Sequence, residues 1–330
     1  MILSLQMSHT LSMIAGIAYA SIFGFSFLVT KNALAVLDPM ELIFIRFLLA
    51  ALLMSLLALL RVQKINFKGK NLKLLLAMCL FQPVLYFIFE TYGVNESSTS
   101  MAGIIIGAIP ALVAVLGAVF LKEKTDRSQT FGLALSIVGV VAVVLAGGGG
   151  GGASGAQGGT TRGLLFLFGA MVSAAFFNVL SRKASGTFTD FERTFAMMWS
   201  GAVIFGLIVL VRWLTGSLGV VPSGTAFQRL PFASALLSLM RRAGSVWYAI
   251  LYLGVLSSVV AFFLINYTLS SLKASQSAVF SDLVTVITVL AGVLIRKEPL
   301  NLAQGLGGLL IVCGVWFTNR KGKSPASAPD

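Results

Sequence analysis

Three charged side chains lie inside long apolar stretches of this sequence: Glu90, Asp282 and Arg46. A charge near the centre of a membrane helix costs about 2.5–3.5 kcal/mol on insertion scales, so it normally lines a cavity, has a partner or is protonated. Arg46 and Glu90 lie at matching depths in their stretches, which predicts that they form an ion pair. The alternatives are an interfacial position for Glu90, a hydrogen bond between helices for Asp282, and a purely structural Arg46–Glu90 pair.

Uncharged polar and aromatic side chains in the apolar stretches are predicted to line a binding cavity together with these charged residues. Hydroxyl and amide groups can orient a small molecule, and aromatic rings can pack on its apolar parts. Packing against neighbouring helices is the alternative for each residue taken singly. If protons take part, Glu90 is the preferred carrier, because Tyr92 and Gln82 share its stretch. The complete candidate set is Glu90, Asp282, Arg46, Gln82, Tyr92, Asn178, Asn266, Tyr267 and Ser26.

The residues that enzymes and metal sites use are sparse. The single histidine, His9, precedes the first apolar stretch, and Cys79 and Cys313 are isolated inside two others. The glycine-rich segment 147–159 matches G-x-G-x-x-G, but apolar stretches flank it, where a dinucleotide site needs a strand and a helix. We therefore predict no catalytic residue, no metal site, no cofactor and no enzymatic activity.

Composition indicates a membrane protein. Hydrophobic residues make up 57% of the 330, and charged residues make up 11%, against about 25% charged residues in soluble domains. The mean hydropathy is +0.95. Crossing the hydrocarbon core takes about 20 apolar residues per helix. Ten such spans are predicted at 11–31, 40–60, 73–93, 99–121, 129–147, 163–181, 194–214, 245–269, 274–295 and 301–319.

The stretch from about Phe87 to Val140 returns near the end of the chain at one fixed spacing of 175 residues, without a gap. Five spans per half are an odd number of crossings, so the second half enters the membrane in the opposite orientation, as in many secondary transporters. We expect an all-α integral membrane protein with ten transmembrane helices, built as two inverted five-helix repeats at 11–147 and 163–319, joined by a glycine-rich linker at 148–162. The repeat is carried by Glu123, Gln129, Gly132, Leu135, Gly139 and Val140, which return as Glu298, Gln304, Gly307, Leu310, Gly314 and Val315.

The formal net charge of +13 follows the membrane topology. With a cytoplasmic N-terminus, the predicted spans place fifteen of the 24 Lys and Arg residues on the cytoplasmic side and eight outside, and Arg46 falls within a span. Cytoplasmic loops of membrane proteins carry such an excess of positive charge. We therefore expect both termini in the cytoplasm and no nucleic-acid partner.

The ends and beginnings of the halves resemble a known family. LKEKTDRSQTFGLALSIVGVV and IRKEPLNLAQGLGGLLIVCGVW are similar to the Glu-then-Gly-rich signature that closes each EamA domain, and FGFSFLVTK and LDPMELIFIRF resemble the first two helices of such domains. This resemblance to EamA-domain proteins of the drug/metabolite transporter superfamily implies ten helices, paired repeats, and export or exchange of a small metabolite. One departure is that Pro110 is matched by Thr285 in the second half.

These observations predict a secondary transporter in the cell membrane that works by alternating access, since no phosphate-binding loop for ATP occurs in the sequence. Its substrate would be an amino acid, a nucleoside, a sugar or an amphipathic compound, with protons as an optional partner and the lipid bilayer as its surroundings. A homodimer is left open. The alternative function is a non-transporting receptor or scaffold with the same fold.

Two local expectations complete the prediction. Segment 229–242 is apolar in its centre with Arg at both ends, which suits either a short interfacial helix or a plain loop. Glu123 and Glu298 are expected to cap the next helix or to pair with Lys122 or Lys297, in preference to contacting substrate.

Overall fold

The computed structural model describes residues 2–120, 127–148, 160–217, 232–271, 274–298, 300 and 302–319, and it is an all-α protein over these ranges. The helices are α1 (Ile2–Ala33), α2 (Pro39–Leu59), α3 (Leu72–Glu96), α4 (Thr99–Ile106 continued by Ile109–Phe120), α5 (Arg127–Gly148), α6 (Thr161–Ala184), α7 (Asp190–Ser217), α8 (Phe232–Ser245), α9 (Trp247–Ser271), α10 (Ala274–Leu290 continued by Ala291–Ile295) and α11 (Leu302–Asn319).

In the described part of the chain, seven helices are long and apolar enough to cross a membrane, namely α1, α2, α3, α4, α6, α7 and α9. Shorter apolar segments occupy the other three predicted spans, at Thr130–Gly139, Leu283–Ile295 and Gly305–Gly314. The chain is therefore a multi-pass membrane protein. Residues 149–159 of the linker, residues 218–231 and the end of the chain from residue 320 lie outside the described residues.

Helix α8 corresponds to the predicted interfacial segment. Its described side chains divide into a buried stripe with Ala235 and Leu239 and an exposed apolar surface with Leu236, Leu237 and Met240. The buried stripe packs against the end of α1 and the start of α2. A helix with one packed face and an exposed apolar face fits a position at the membrane interface.

The second helix of each half begins with the same capping arrangement. Asp38 caps α2, and the Glu41 side chain returns to the backbone N–H of Asp38. At the start of α7, Glu192 accepts from the backbone N–H of Thr189, and the Thr189 hydroxyl accepts from the backbone N–H of Glu192. Such capping boxes satisfy backbone donors that a helix start leaves unpaired.

Each of these capping glutamates is also held by a cation from the other half of the chain. Arg242 of α8 donates to both oxygens of Glu41, at 2.7 and 2.9 Å. Lys70, in the loop before α3, donates to Glu192 at 2.6 Å. Arg242 thus joins α8 to the start of α2, and Lys70 joins the loop after α2 to the start of α7.

Two helices are interrupted where they approach the centre of the bundle. In α3 the turn Leu80–Leu85 is wider than an α-helix, and Gln82 has the extended angles φ −147° and ψ 118°. Pro83 has no backbone N–H to continue the helical ladder, which is the physical reason for the break. Helix α9 has a similar wide segment at Tyr252–Val260. Interruptions of this kind re-aim side chains at functional positions.

The helices pack in a reciprocal pattern across the two halves. Helix α1 packs against α9 and α10, and α6 packs against α3 and α4. Helix α2 packs against α7, and α5 packs against α11. The last pair lies close enough that a Cβ atom added at Gly139 would meet the Gly307 carbonyl oxygen at 2.7 Å.

Hydrogen bonds between helix ends define two faces of the bundle. At the first, the Glu41 face, the end of α1 contacts the end of α3, because Lys31 donates to the carbonyls of Val94, Asn95 and Ser97. The start of α6 joins the same face through the hydrogen bond from Thr160 to Glu96. Helix α1 therefore ends where α6 begins, so the two run in opposite directions.

The opposite, Glu192 face collects the other helix ends. Buried Arg193 at the start of α7 donates to the Ser181 carbonyl of α6 at 3.0 Å and to the Ser270 hydroxyl of α9 at 2.7 Å, and it pairs with Asp190. These bonds join the ends of α6 and α9 to the start of α7.

Candidate functional site

A cavity of about 750 Å³, measured out to its mouth, lies in the middle of the bundle. Helices α1 to α4 line it from the first half, and α6, α9 and α10 line it from the second.

Arg46 of α2 is the cation of the cavity and is 2% exposed. Its Nε donates to the Ser258 hydroxyl and its Nη2 to the Ser257 hydroxyl, each at 3.1 Å. The guanidinium carbon also lies 4.4 Å from the centre of the Phe87 ring. These contacts hold the group rigidly and leave Nη1 without a hydrogen bond to any described residue.

Glu90 of α3 is the acid of the cavity and is 3% exposed. One of its oxygens accepts from the Thr91 hydroxyl at 3.0 Å. The expected direct ion pair is not formed: among the described residues, no Arg46 nitrogen lies within 4.0 Å of a Glu90 oxygen. The physical reason is that Ser257 and Ser258 of α9 already hold the guanidinium. Both charges face the same cavity.

Polar groups from α1, α3 and α6 line the space around these charges. The Gln82 amide and the Tyr86 hydroxyl make no hydrogen bond to a described residue. Asn178 donates to the Ala174 carbonyl of its own helix at 2.7 Å, which leaves its side-chain oxygen for another partner. The Ser26 hydroxyl donates to the Phe23 carbonyl. The interruption of α3 places Gln82 on the cavity wall.

The remaining wall is aromatic and aliphatic. Phe23 of α1 and Phe262 of α9 meet edge to face with ring centres 5.2 Å apart, and Phe87 lies 6.0 Å from Phe262. Ile106 and Ile265 add aliphatic surface. The sequence reasoning did not select these residues as site residues. Phe87 and Phe262 occupy equivalent positions in the two halves, so the repeat was the signal that pointed to them.

Three candidates from the sequence lie away from the cavity. Asn266 is fully buried between α6 and α7, where it accepts from Ser181 and donates to Thr194. Tyr92 packs on the Phe166 ring, and Tyr267 is half-buried in α9. The period of the helix turns these side chains away from the wall that Glu90 and Phe262 share. A fourth candidate, Asp282, belongs to α10, but its side chain lies outside the described residues.

The cavity is closed towards the Glu41 face by contacts between α10 and α4. Glu298, just after α10, accepts from the backbone N–H of Thr99 at 2.9 Å and from the N–H and hydroxyl of Ser100 at 2.8 Å each. Burial alone would raise the pKa of Glu298, but the bonds from Ser100 and Thr99 outweigh it and lower that pKa overall. Glu298 therefore caps the start of α4 in the other half, whereas the sequence predicts a cap on the next helix. Glu123, its repeat equivalent, lies outside the described residues.

Below this seal, α4 and α10 touch at two glycines and then separate. Cβ atoms added at Gly103 and Gly107 would lie 2.7 Å from Thr288 and 2.3 Å from Thr285. Beyond Gly107, α4 follows α6, whereas α10 continues along α1, where Gly16 approaches Phe280. The described contacts between α4 and α10 therefore lie on the Glu41 side of the cavity.

Comparison with known proteins places this architecture in a family. Residues 10–145 and 161–320 each match the EamA-like transporter family. The "Uncharacterized transporter YcxC" of Bacillus subtilis is 35% identical over 311 residues, covering 94% of this chain and 93% of that protein. An "Uncharacterized transporter" of Archaeoglobus fulgidus is 24% identical over 299 residues, covering 91% and 95%.

Two further likenesses are more distant. A "Probable terminal-alkyne amino-acid exporter" of Streptantibioticus cattleyicolor is 26% identical over 237 residues, covering 72% of this chain and 69% of that protein. A solved crystal structure superposes with a TM-score of 0.60 at 18% identity, covering 93% of this chain and 96% of the other, so this likeness concerns the fold alone. From the two family matches and the 35% identity to a full-length relative, the chain belongs to the EamA-like transporter family.

Proposed function

We propose that the protein is a secondary transporter that exports or exchanges a small metabolite by alternating access, with the central cavity as its substrate site. The carrying observation is the cavity, which both halves of the chain line and which contains the buried charges of Arg46 and Glu90. The candidate substrates are amino acids, nucleosides, sugars and amphipathic compounds, and one relative is named as an amino-acid exporter.

The packing of the helices supports two inverted repeats. Exchanging α1 with α6, α3 with α9 and α4 with α10 reproduces the observed pairs, since α1 packs on α9 and α10 while α6 packs on α3 and α4. The opposite directions of α1 and α6 agree with this exchange. Rocking of one repeat against the other around a fixed site is the motion that such a build permits.

The distribution of charge supports a cytoplasmic Glu192 face. The predicted spans place fifteen of the 24 Lys and Arg residues on the Glu192 side and eight on the Glu41 side, and cytoplasmic segments carry such an excess of Lys and Arg. With this orientation, the seal at Glu298 closes the outside and the divergence of α4 and α10 faces the cytoplasm, which is the state in which an exporter loads its substrate.

The function is tested by flux into liposomes. Purified protein is reconstituted with a library of small metabolites inside, and exchange of each compound is measured against protein-free liposomes. Exchange of at least one compound is expected. Binding of a compound without any exchange would instead support the receptor alternative.

Alternating access is tested by a cross-link at the Glu41 face. Ser100→Cys and Glu298→Cys, in a chain with Cys79→Ala and Cys313→Ala, are joined by a bifunctional thiol reagent about as long as a glutamate side chain. The Ser100 hydroxyl donates to Glu298 at 2.8 Å, so the link ties α4 of the first half to the end of α10 in the second. Exchange should stop in the double variant and continue in each single variant. Full exchange after complete cross-linking would refute alternating access at this face.

A further inference from the structure

We propose that the transported molecule is a zwitterion with an apolar body, whose anionic group binds Arg46 and whose cationic group binds Glu90. This inference rests on the transport function proposed above and concerns the same cavity. It assigns each pole of the substrate to one residue.

The first argument is that Arg46 is a prepared anion site. Two of its nitrogens are held by Ser257 and Ser258, and its flat face lies on Phe87, so little side-chain freedom remains to be lost on binding. Its Nη1 has no acceptor among the described residues, and Arg46 lines the cavity. Guanidinium groups bind carboxylates through short charge-assisted hydrogen bonds.

The second argument is that Glu90 offers the opposite pole. A carboxylate accepts hydrogen bonds and donates none, so an ammonium group is its natural ligand. Thr91 occupies one of its oxygens, while the other has no hydrogen bond to a described residue. Because no direct contact joins Arg46 to Glu90 in the described structure, a substrate can take both places at once.

The third argument is the asymmetry of the cavity wall. The groups without a described partner, Gln82 and Tyr86, come from α3, next to Glu90. The equivalent positions of the second half are Ser257, which holds Arg46, and Ala261, and Glu90 is matched by Ile265. One side of the site is therefore polar and charged, and the side around Ile265 is apolar.

Electrostatics then discriminates between the candidate classes. A neutral sugar or nucleoside would leave two buried charges without a new partner, and a singly charged compound would leave one. Unpaired buried charges are costly, and a zwitterion compensates both. The discrimination against an analogue that lacks one charge should be tenfold or more, which corresponds to about 1.4 kcal/mol.

The test uses the liposome exchange assay with the twenty protein amino acids, sugars and nucleosides. Every exchanged compound is expected to be a zwitterion at neutral pH, with the apolar amino acids leading. For the best of them, the amide, which keeps only the cation, and the N-acetyl derivative, which keeps only the anion, should compete at least tenfold more weakly. Exchange of sugars or nucleosides in preference to zwitterions would overturn the inference while leaving transport established. Absence of exchange for all compounds would refute the transport function itself.

Two variants separate binding from folding. Glu90→Gln should lose the amino acid and shift relative preference towards the N-acetyl derivative, and Arg46→Gln should shift it towards the amide. Thr268→Val is the matched control, because this buried hydroxyl bonds only to the Leu264 carbonyl of its own helix in the described structure. If the two residues had a purely structural role, each variant would bind all three ligands more weakly by the same factor, and that result would refute the assignment. If either variant fails to fold, thermal stabilisation of the wild-type protein by the same three ligands decides, and equal shifts for all three would contradict the proposal.

Discussion

The seal at the Glu41 face depends on Glu298, and Glu298→Gln should open it. The carboxylate holds three donors of α4 at 2.8–2.9 Å across the interface with α10. Loss of a side-chain cap costs about 0.5–2 kcal/mol, and loss of a negative charge at a helix start costs about 0.3–1 kcal/mol more. Together they amount to about 2 kcal/mol, which is about a 30-fold rise in the open population.

The rise is measured by labelling of Ser26→Cys in the chain without native cysteines. Ser26 lines the cavity, so a membrane-impermeant thiol reagent confined to the Glu41 face reaches it only when the seal opens. The matched control is Glu96→Gln on the same face, because Glu96 contacts Thr160 and Arg162 and not α10 in the described structure. A rise of less than about threefold, or an equal rise in the control, would refute this account of the seal.

Three other predictions use the same protein. Hydrogen bonds depress the pKa of Glu298, so its carboxylate stabilises the closed seal fully above the usual pKa of 4.5 and loses this effect as the pH falls through the depressed pKa. Labelling of Ser26→Cys, normalised to labelling of Asn95→Cys, should therefore stay constant from pH 8 to 6. A rise in labelling within that window would contradict this account of the seal. Arg242→Ala should lower the free energy of unfolding by about 1 kcal/mol, because its ion pair with Glu41 is only partly exposed. Arg241→Ala, at an exposed residue, should cause no such loss in thermal unfolding. Equal losses in the two variants would argue against a stabilising role of the Arg242–Glu41 ion pair. Gly107→Ala should lower the free energy of unfolding by about 1–3 kcal/mol, because the added methyl group would overpack against Thr285. Gly305→Ala should not, because open space surrounds Gly305. Equal unfolding midpoints for the two variants would count against close contact at Gly107.

The all-α membrane fold class could be predicted from the sequence, because a helix that crosses the hydrocarbon core needs a run of about 20 apolar residues, and such runs are visible in the sequence. The family resemblance was confirmed by matches to both halves. The ten-helix count stays a prediction, since the described helices of α5, α10 and α11 contain only short apolar segments.

The sequence pointed to site residues whose placement in a membrane is unfavourable in free energy. Arg46 and Glu90 stand out because a buried charge needs a reason, and both line the cavity. Phe23 and Phe262 carry no such signal, because an aromatic residue suits lipid, core and cavity equally. The partners of Arg46, Ser257 and Ser258, lie in the other half of the sequence, and their proximity depends on the packing of α2 against α9. Asn266 was predicted as a site residue but lies outside the cavity, because a polar residue in an apolar helix can instead form hydrogen bonds to neighbouring helices.

The α2–α7 pair is held at both ends in one and the same structure, by Arg212 of α7 on Asp38 at the start of α2 and by Lys70, which follows α2, on Glu192 at the start of α7. In the transport cycle proposed above, an ion pair that stays intact in both the inward-open and the outward-open state stabilises the two states equally. Weakening such a pair would therefore change the forward and reverse turnover rates by the same factor. The direction of net flux would still be set by the gradients on the two sides of the membrane.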